Sequence, residues 1–185
     1  MSRFVHSICV FCGARNGTRM RYADTAAELG TLLAEEDWRL VYGAGDVGLM
    51  GGVARAAQAA GAETLGVIPQ HLMARERRRG DLAGLVVTDT MHERKKVMFM
   101  NSDAFVVLPG GAGSLDEFFE VLTWAQLGLH SKPIFLLDVE GYWQPLAALI
   151  DHVIAEGFAD GSLKDHVALV PDVAALARSL RAALS

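Results

Sequence analysis

Seven short apolar runs alternate with six helical patterns along the chain, and inner runs such as AFVVL and IFLL are apolar without alternation. Together these predict a doubly wound α/β fold, a Rossmann-like three-layer sandwich around a mainly parallel sheet of about seven strands. Strands covered by helices on both faces read as continuous hydrophobic stretches, and a helix between successive strands supplies the parallel crossover. The length of 185 residues, the apolar fraction of 51% and the charged fraction of 21% exclude a disordered chain. A chain of this size buries roughly 70% of its unfolded surface. No repeat, linker or composition break divides it, so one domain is expected over residues 1–185.

The predicted strands are Ser7 to Phe11, Arg39 to Tyr42, Thr64 to Ile68, Leu85 to Thr88, Ala104 to Leu108, Ile134 to Leu137 and Val167 to Val170. The predicted helices are Met20 to Glu36, Val47 to Ala60, Met91 to Asn101, Ser114 to Gly128, Tyr142 to Glu156 and Asp172 to Leu184. In the first strand and the turn after it, Cys9 and Cys12 form a C-x-x-C. Three-residue spacing on a strand sends the two side chains to opposite faces, so they read as small buried hydrophobes, the alternative being a redox dithiol. The start, MSRFVHSICVFCG, has no long apolar run or small-residue cleavage site, and no run approaches the ~18 residues that span a bilayer. A cytoplasmic protein with no membrane contact is expected. With 17 Lys and Arg against 22 Asp and Glu, the net charge of -5 provides no global attraction for nucleic acid, so an anionic ligand must be held locally.

The second strand runs into GAGDVGLMGG, which contains a literal G-x-G-x-x-G at Gly43, Gly45 and Gly48. A dinucleotide site would place an acid at the end of the next strand, but Glu63 precedes that strand and the far end offers Pro69 and Gln70. A close helix-to-strand approach or a wall of a nucleotide site is the better reading. The stretch Pro69 to Gly84 carries RERRRG, which is either a solvated loop or a flap over an anion site.

MHERKKVMFMNSD places Arg94, Lys95 and Lys96 in the first two turns of a helix, where cations oppose the dipole. A solvated face would explain them, and so would a crevice at the carboxyl ends of the strands, which this helix start should border. The next strand ends in LPGGAGSLDEFFE. Gly110, Gly111 and Gly113 let backbone approach a ligand, and Ser114 is expected to begin the helix, so converging N–H groups offer a site for one phosphate. No Lys-Ser or Lys-Thr follows, so this is not a Walker loop. Ser114 and Glu117 also have the spacing of a capping box, with Asp116 and Glu117 complementing the dipole. Structure and chemistry remain alternatives here. The six histidines form no metal-ligand pattern, so no metal is expected.

The set VFCG, GLMGG, MHERK, PGGAGSLDE, LTWAQLGLHSKP and VEGYW, spread over nearly the whole chain, resembles the LOG (Lonely Guy) family of cytokinin riboside 5′-monophosphate phosphoribohydrolases. Its signature P-G-G-x-G-T-x-x-E is met by Pro109, Gly110, Gly111, Gly113, Ser114 and Glu117, with Ser keeping the hydroxyl of Thr. The resemblance implies Arg94 and Glu117 as the catalytic pair. It also implies substrate contacts from Glu76, Lys95, the segment Gly110, Gly111, Ala112, Gly113, Ser114, Leu115 and Asp116, and Thr123, with Gly13, Gly43, Gly45 and Met91 as further candidates. Ala14 and Arg15 stand where the family often has serines, and Ala44 where it often has glycine. An older label for such proteins, lysine decarboxylase, implies a pyridoxal phosphate lysine, and neither Lys95 nor Lys96 has a recognisable setting for one.

The implied reaction is hydrolysis of the N-glycosidic bond of a purine nucleoside 5′-monophosphate, N6-modified or plain AMP, with no cofactor. Phosphate would be anchored at Gly111 to Ser114. Glu117 would stabilise an oxocarbenium-like transition state and orient or deprotonate water. Arg94, always protonated, would clamp phosphate or ribose and offset charge on the departing base. The helix Ser114 to Gly128 carries Phe118, Phe119, Leu122, Trp124 and Leu127; core packing alone is one use for them, and with the resemblance they predict a homodimer in which this helix and its neighbour build a two-fold interface close to the site. A carrier of nucleotide or molybdenum cofactor with the same fold is the alternative.

Overall fold

Burial on both faces is what the apolar runs encode, and each of them forms a strand. The computed structural model describes residues 5–73 and 84–185. Along these the chain runs β1 (Ser7–Phe11), α1 (Met20–Glu35), β2 (Arg39–Tyr42), α2 (Gly48–Ala60), β3 (Thr64–Pro69), β4 (Leu85–Thr88), α3 (Met91–Met100), β5 (Ala104–Val107), α4 (Ala112–Gln126), β6 (Ile134–Leu137), α5 (Gln144–Ala155), β7 (Val167–Val170) and α6 (Val173–Leu184). The strands form one seven-stranded sheet in the order β4-β3-β2-β1-β5-β6-β7. Every pairing in it is parallel, with Cys9 opposite Val41 on one side and Phe105 on the other.

Alternate residues of β1 feed two cores. Ile8, Val10 and Cys12 pack with Leu29 and Leu33 of α1, Val53 and Ala57 of α2 and Leu176 and Leu180 of α6. Cys9 and Phe11 face the opposite way, among Met98 of α3, Phe118 and Leu122 of α4 and Ile150 of α5. The two cysteines are therefore free thiols buried on opposite faces of the sheet. Burial in apolar surroundings pushes both thiols well above their ordinary pKa, which leaves them unreactive.

Strand order reverses between β1 and β5, because β1 continues through α1 to β2 on one side while α3 carries the chain back to β5 on the other. A crevice opens beyond the carboxyl ends of strands at such a switch point. One boundary there departs from expectation. The fourth helix starts at Ala112 rather than Ser114, with Gly111 as its N-cap. Ser114 is therefore inside the first turn and buried, and the expected Ser114–Glu117 capping box does not form. The true capping box belongs to α3, where the Thr90 hydroxyl accepts from the Glu93 N–H at 3.1 Å and the Glu93 carboxylate accepts from the Thr90 N–H at 3.2 Å. It offsets the cost of placing Arg94 and Lys95 so near a helix start.

Candidate active site

The crevice is a cavity of about 480 Å³ lined by the β1–α1 connection from Cys12 to Gly17, by Leu49 and Met50 of α2, by Arg94, by Pro109, Gly110 and Gly111, by Gly113, Ser114 and Glu117 of α4, and by Tyr22 and Tyr142. Of the residues singled out in the sequence, Gly13, Arg94, Gly110, Gly111, Gly113, Ser114 and Glu117 meet there.

Arg94 and Glu117 form a buried pair. Their side chains are only 8% and 9% exposed, and Arg94 Nη1 lies 3.5 Å from Glu117 Oε1. The guanidinium is held from behind: its Nε donates to the carbonyl of Val67 at 3.1 Å and its Nη2 donates to the carbonyl of Gly43 at 3.2 Å. Three of its five N–H groups are thus directed at protein, and the others remain for the cavity. Gly43 is required by this packing, since a β-carbon there would lie 1.7 Å from Arg94 Nη2.

Burial pushes the Glu117 carboxyl up to about 7, against the opposing pull of Arg94, with Asp116 adding to the rise. A carboxyl poised near neutral pH in a cleft beside a fixed cation is the electrostatic arrangement of a proton-handling or charge-stabilising group. The adjoining wall is the start of α4. Gly111 has no side chain to cap it and no acidic residue occupies its first turn, so the leading N–H groups point at the cavity uncovered. The space beside Gly111 and Gly113, where a β-carbon would project, is open.

Other expected contacts lie elsewhere. Lys95 Nζ is 2.9 Å from the Asp116 carboxylate and 2.8 Å from that of Glu120, so it ties α3 to α4 outside the cavity lining. Burial disfavours its charge, but the hydrogen bonds to Glu120 and Asp116 outweigh that and raise its pKa. Gly45 donates its N–H to Met50 Sδ at 3.0 Å, and Gly48 adopts a left-handed backbone with φ +65 against Ala14 and Arg15. The G-x-G-x-x-G therefore serves packing around the site. Met91, Ala112, Leu115, Asp116 and Thr123 fall outside the lining, the last exposed on α4. Glu76 and the basic segment around it lie outside the described residues.

Sequence reasoning missed Arg15, Asn16, Tyr22, Leu49, Met50 and Tyr142 as wall residues. Tyr142 donates its hydroxyl to the carbonyl of Gly110 at 2.6 Å and meets Tyr22 edge to face at 5.6 Å. The only hint in the sequence is the VEGYW segment, whose role no local pattern reveals. Among the described residues no lysine lines the cavity and no group of three His, Cys, Asp or Glu side chains is placed to hold a metal.

The profile of a family described as "Possible lysine decarboxylase" matches residues 50–180. Cytokinin riboside 5′-monophosphate phosphoribohydrolase LOG1 of Arabidopsis thaliana is 44% identical over 94% of this chain and 81% of its own length. Probable cytokinin riboside 5′-monophosphate phosphoribohydrolase LOGL2 of Oryza sativa subsp. japonica is 46% identical over 92% of this chain and 69% of its own. Among solved structures, the molybdenum cofactor carrier protein of Chlamydomonas reinhardtii superposes with a TM-score of 0.74 at 24% identity, covering 97% of this chain and 98% of that one. At that identity the likeness shows the fold alone. Relatives above 40% identity over nine-tenths of the chain settle the family instead, and the lysine name finds no lysine in the cavity to support it. The chain belongs to the LOG family of cytokinin riboside 5′-monophosphate phosphoribohydrolases.

Proposed function

We propose that the protein hydrolyses a purine nucleoside 5′-monophosphate of the cytokinin riboside type to free base and ribose 5-phosphate, through one domain that spans the chain. The buried Arg94–Glu117 pair, facing a cavity beside the uncapped start of α4, is the observation that carries this reading. The N9–C1′ bond breaks, water gives its hydroxyl to C1′, and the water's proton ends on the base.

Phosphate binds the N–H groups from Gly111 to Ser114, and this non-reacting end positions C1′ against Glu117. The carboxylate form of Glu117 stabilises the positive charge that develops on the ribose and takes the proton from the attacking water. Arg94 keeps part of Glu117 ionised despite burial and turns its remaining N–H groups toward the ribose and the departing base. Lys95 acts through Asp116 and Glu120 by fixing the start of α4 against α3. Substrate contacts from Glu76, Met91 and Thr123 rest on the family resemblance.

A homodimer with α3 and α4 at its interface is part of this proposal. Met100, Phe119, Leu127 and Leu129 leave apolar surface exposed there, and Thr123 shares the helix. Among the described residues no helix is long and apolar enough to cross a membrane. Two free thiols suit the cytoplasm. The net charge of -5 supports a small-molecule ligand over nucleic acid.

The test is incubation of wild-type protein and Glu117→Gln with AMP and with isopentenyladenosine monophosphate, followed by chromatography. Free base and ribose 5-phosphate from wild type alone is expected. Tight binding without release would overturn the proposal and favour a carrier.

A further inference from the structure

Resting on the phosphoribohydrolase reading, we propose that Arg15 is a second phosphate anchor, reaching the 5′-phosphate from the loop beside the start of α4. A phosphomonoester carries roughly 1.5 to 2 negative charges at neutral pH. The uncapped turn of α4 supplies only about half a charge. Among the described residues the cationic side chains that line the cavity are Arg94 and Arg15. The charge of Arg94 is offset by Glu117 and its head is anchored on Val67 and Gly43, so among the described residues Arg15 is the cation left to balance the phosphate.

The placement of Arg15 fits this task. Its loop is pinned on two sides: the Gly13 N–H donates to the carbonyl of Pro109 at 3.0 Å, and the Met50 N–H donates to the carbonyl of Gly13 at 3.3 Å. Gly48 presses on the backbone of Ala14 and Arg15, so closely that a β-carbon would lie 2.4 Å from the Arg15 nitrogen. The backbone of Arg15 is therefore fixed next to the turn that precedes α4, while its side chain is exposed at the cavity. Among the described exposed arginines, Arg19 pairs with Glu140, Arg21 with Glu28, Arg55 with Asp46 and Arg181 with Glu36, while Arg178 on α6 has no such pair but lies outside this cavity. No hydrogen bond or ion pair ties the Arg15 side chain to another described residue. A guanidinium held ready on a rigid loop, with a forked donor set that matches phosphate oxygens, is suited to bidentate capture.

Arg15 holds the phosphate by charge as well as by hydrogen bonds. The consequence is a sharper discrimination between nucleotide and nucleoside.

Calorimetric titration of wild type, Arg15→Gln and Arg15→Lys with ribose 5-phosphate, AMP and adenosine tests the idea, beside steady-state hydrolysis of AMP and matched circular dichroism spectra. Arg15→Gln should weaken ribose 5-phosphate and AMP about ten- to a hundredfold, the loss expected when a hydrogen bond to a charged group is removed. Adenosine binding should not change, KM should rise more than kcat falls, and Arg15→Lys should recover part of the loss. Equal weakening of AMP and adenosine, or unchanged ribose 5-phosphate binding, would overturn the proposal. Arg15-dependent binding of ribose 5-phosphate without any hydrolysis would leave it standing and sink the phosphoribohydrolase reading. Hydrolysis with an unchanged KM in Arg15→Gln would do the reverse, and a wild type that binds none of the phosphates would overturn both.

Discussion

The carbonyl oxygen of Gly43 accepts a hydrogen bond from Arg94 Nη2 at 3.2 Å, joining the loop after β2 to α3 behind the cavity wall. The absence of a side chain at Gly43 sets where the guanidinium sits, since a β-carbon would overlap the same nitrogen. A glycine that looks like part of a phosphate loop is thus the seat of the arginine proposed as catalytic.

Gly43→Ala should therefore act as a displacement of Arg94. A shift near 1 Å in a reacting group costs about a hundredfold in rate, and a fall of that size in kcat/KM is expected with the circular dichroism spectrum retained. With Arg94 pushed away from Glu117, the acidic limb of the pH–rate profile should also move to higher pH. Wild-type kcat/KM in this variant would show that the guanidinium position does not matter.

A second expectation concerns Glu117. Its carboxyl titrates near 7 because burial outweighs the attraction of Arg94. If the carboxylate is the working form, as the proposed mechanism requires, kcat/KM should rise with pH through about 7 and level off above it. Glu117→Gln should lose a hundredfold or more, the scale for a general base, and should lose that limb as well. A profile that instead falls above neutrality would assign Glu117 the role of acid.

The same carboxyl makes a prediction about stability. A folded pKa near 7 against about 4.3 in the unfolded chain means the folded state binds more protons between those values. Stability then falls as pH rises through that window and is flat above it. Glu117→Gln removes the penalty, so its melting temperature should gain on wild type between pH 5 and pH 8. The gain is on the order of 2 kcal/mol, or roughly 4–8 °C for a domain of this size. Scanning calorimetry at the two pH values checks this, and a gain that shrinks with pH would mean the ion pair with Arg94 dominates after all.

These relationships divide into those that local pattern carries and those it does not. Leu85–Thr88, Ile134–Leu137 and Val167–Val170 were readable to the residue, because a continuous apolar run between turn residues has one sensible reading. The split of Cys9 and Cys12 between two cores follows from strand period alone. At the start of α4 the local pattern misleads: Ser114 is so good a cap in one dimension that it hides the turn provided by Gly111, two residues before the first expected helical position. Thr90 and Glu93 carry the same S/T-x-x-E signal, which the cations that follow obscure. Gly43 and Arg94 lie 51 positions apart, and Tyr142 and Gly110 lie 32 apart, and nothing in either neighbourhood announces the other.

The capping box of α3 separates stability from chemistry. Thr90 receives the Glu93 N–H on its hydroxyl, and its own carbonyl accepts from the Arg94 N–H at 3.1 Å. Thr90→Ala removes the side-chain cap and leaves the carbonyl in place, which costs about 1 kcal/mol and lowers the melting temperature by roughly 2–4 °C. The head group of Arg94 is anchored separately, on Val67 and Gly43, so its position beside Glu117 should survive a frayed first turn. Thermal unfolding should register the loss while kcat/KM changes by less than about tenfold, well short of the Gly43→Ala effect. Thr90→Ser should restore the cap. If Thr90→Ala were as inactive as Gly43→Ala, the helix start and not the two carbonyls would be what places the guanidinium.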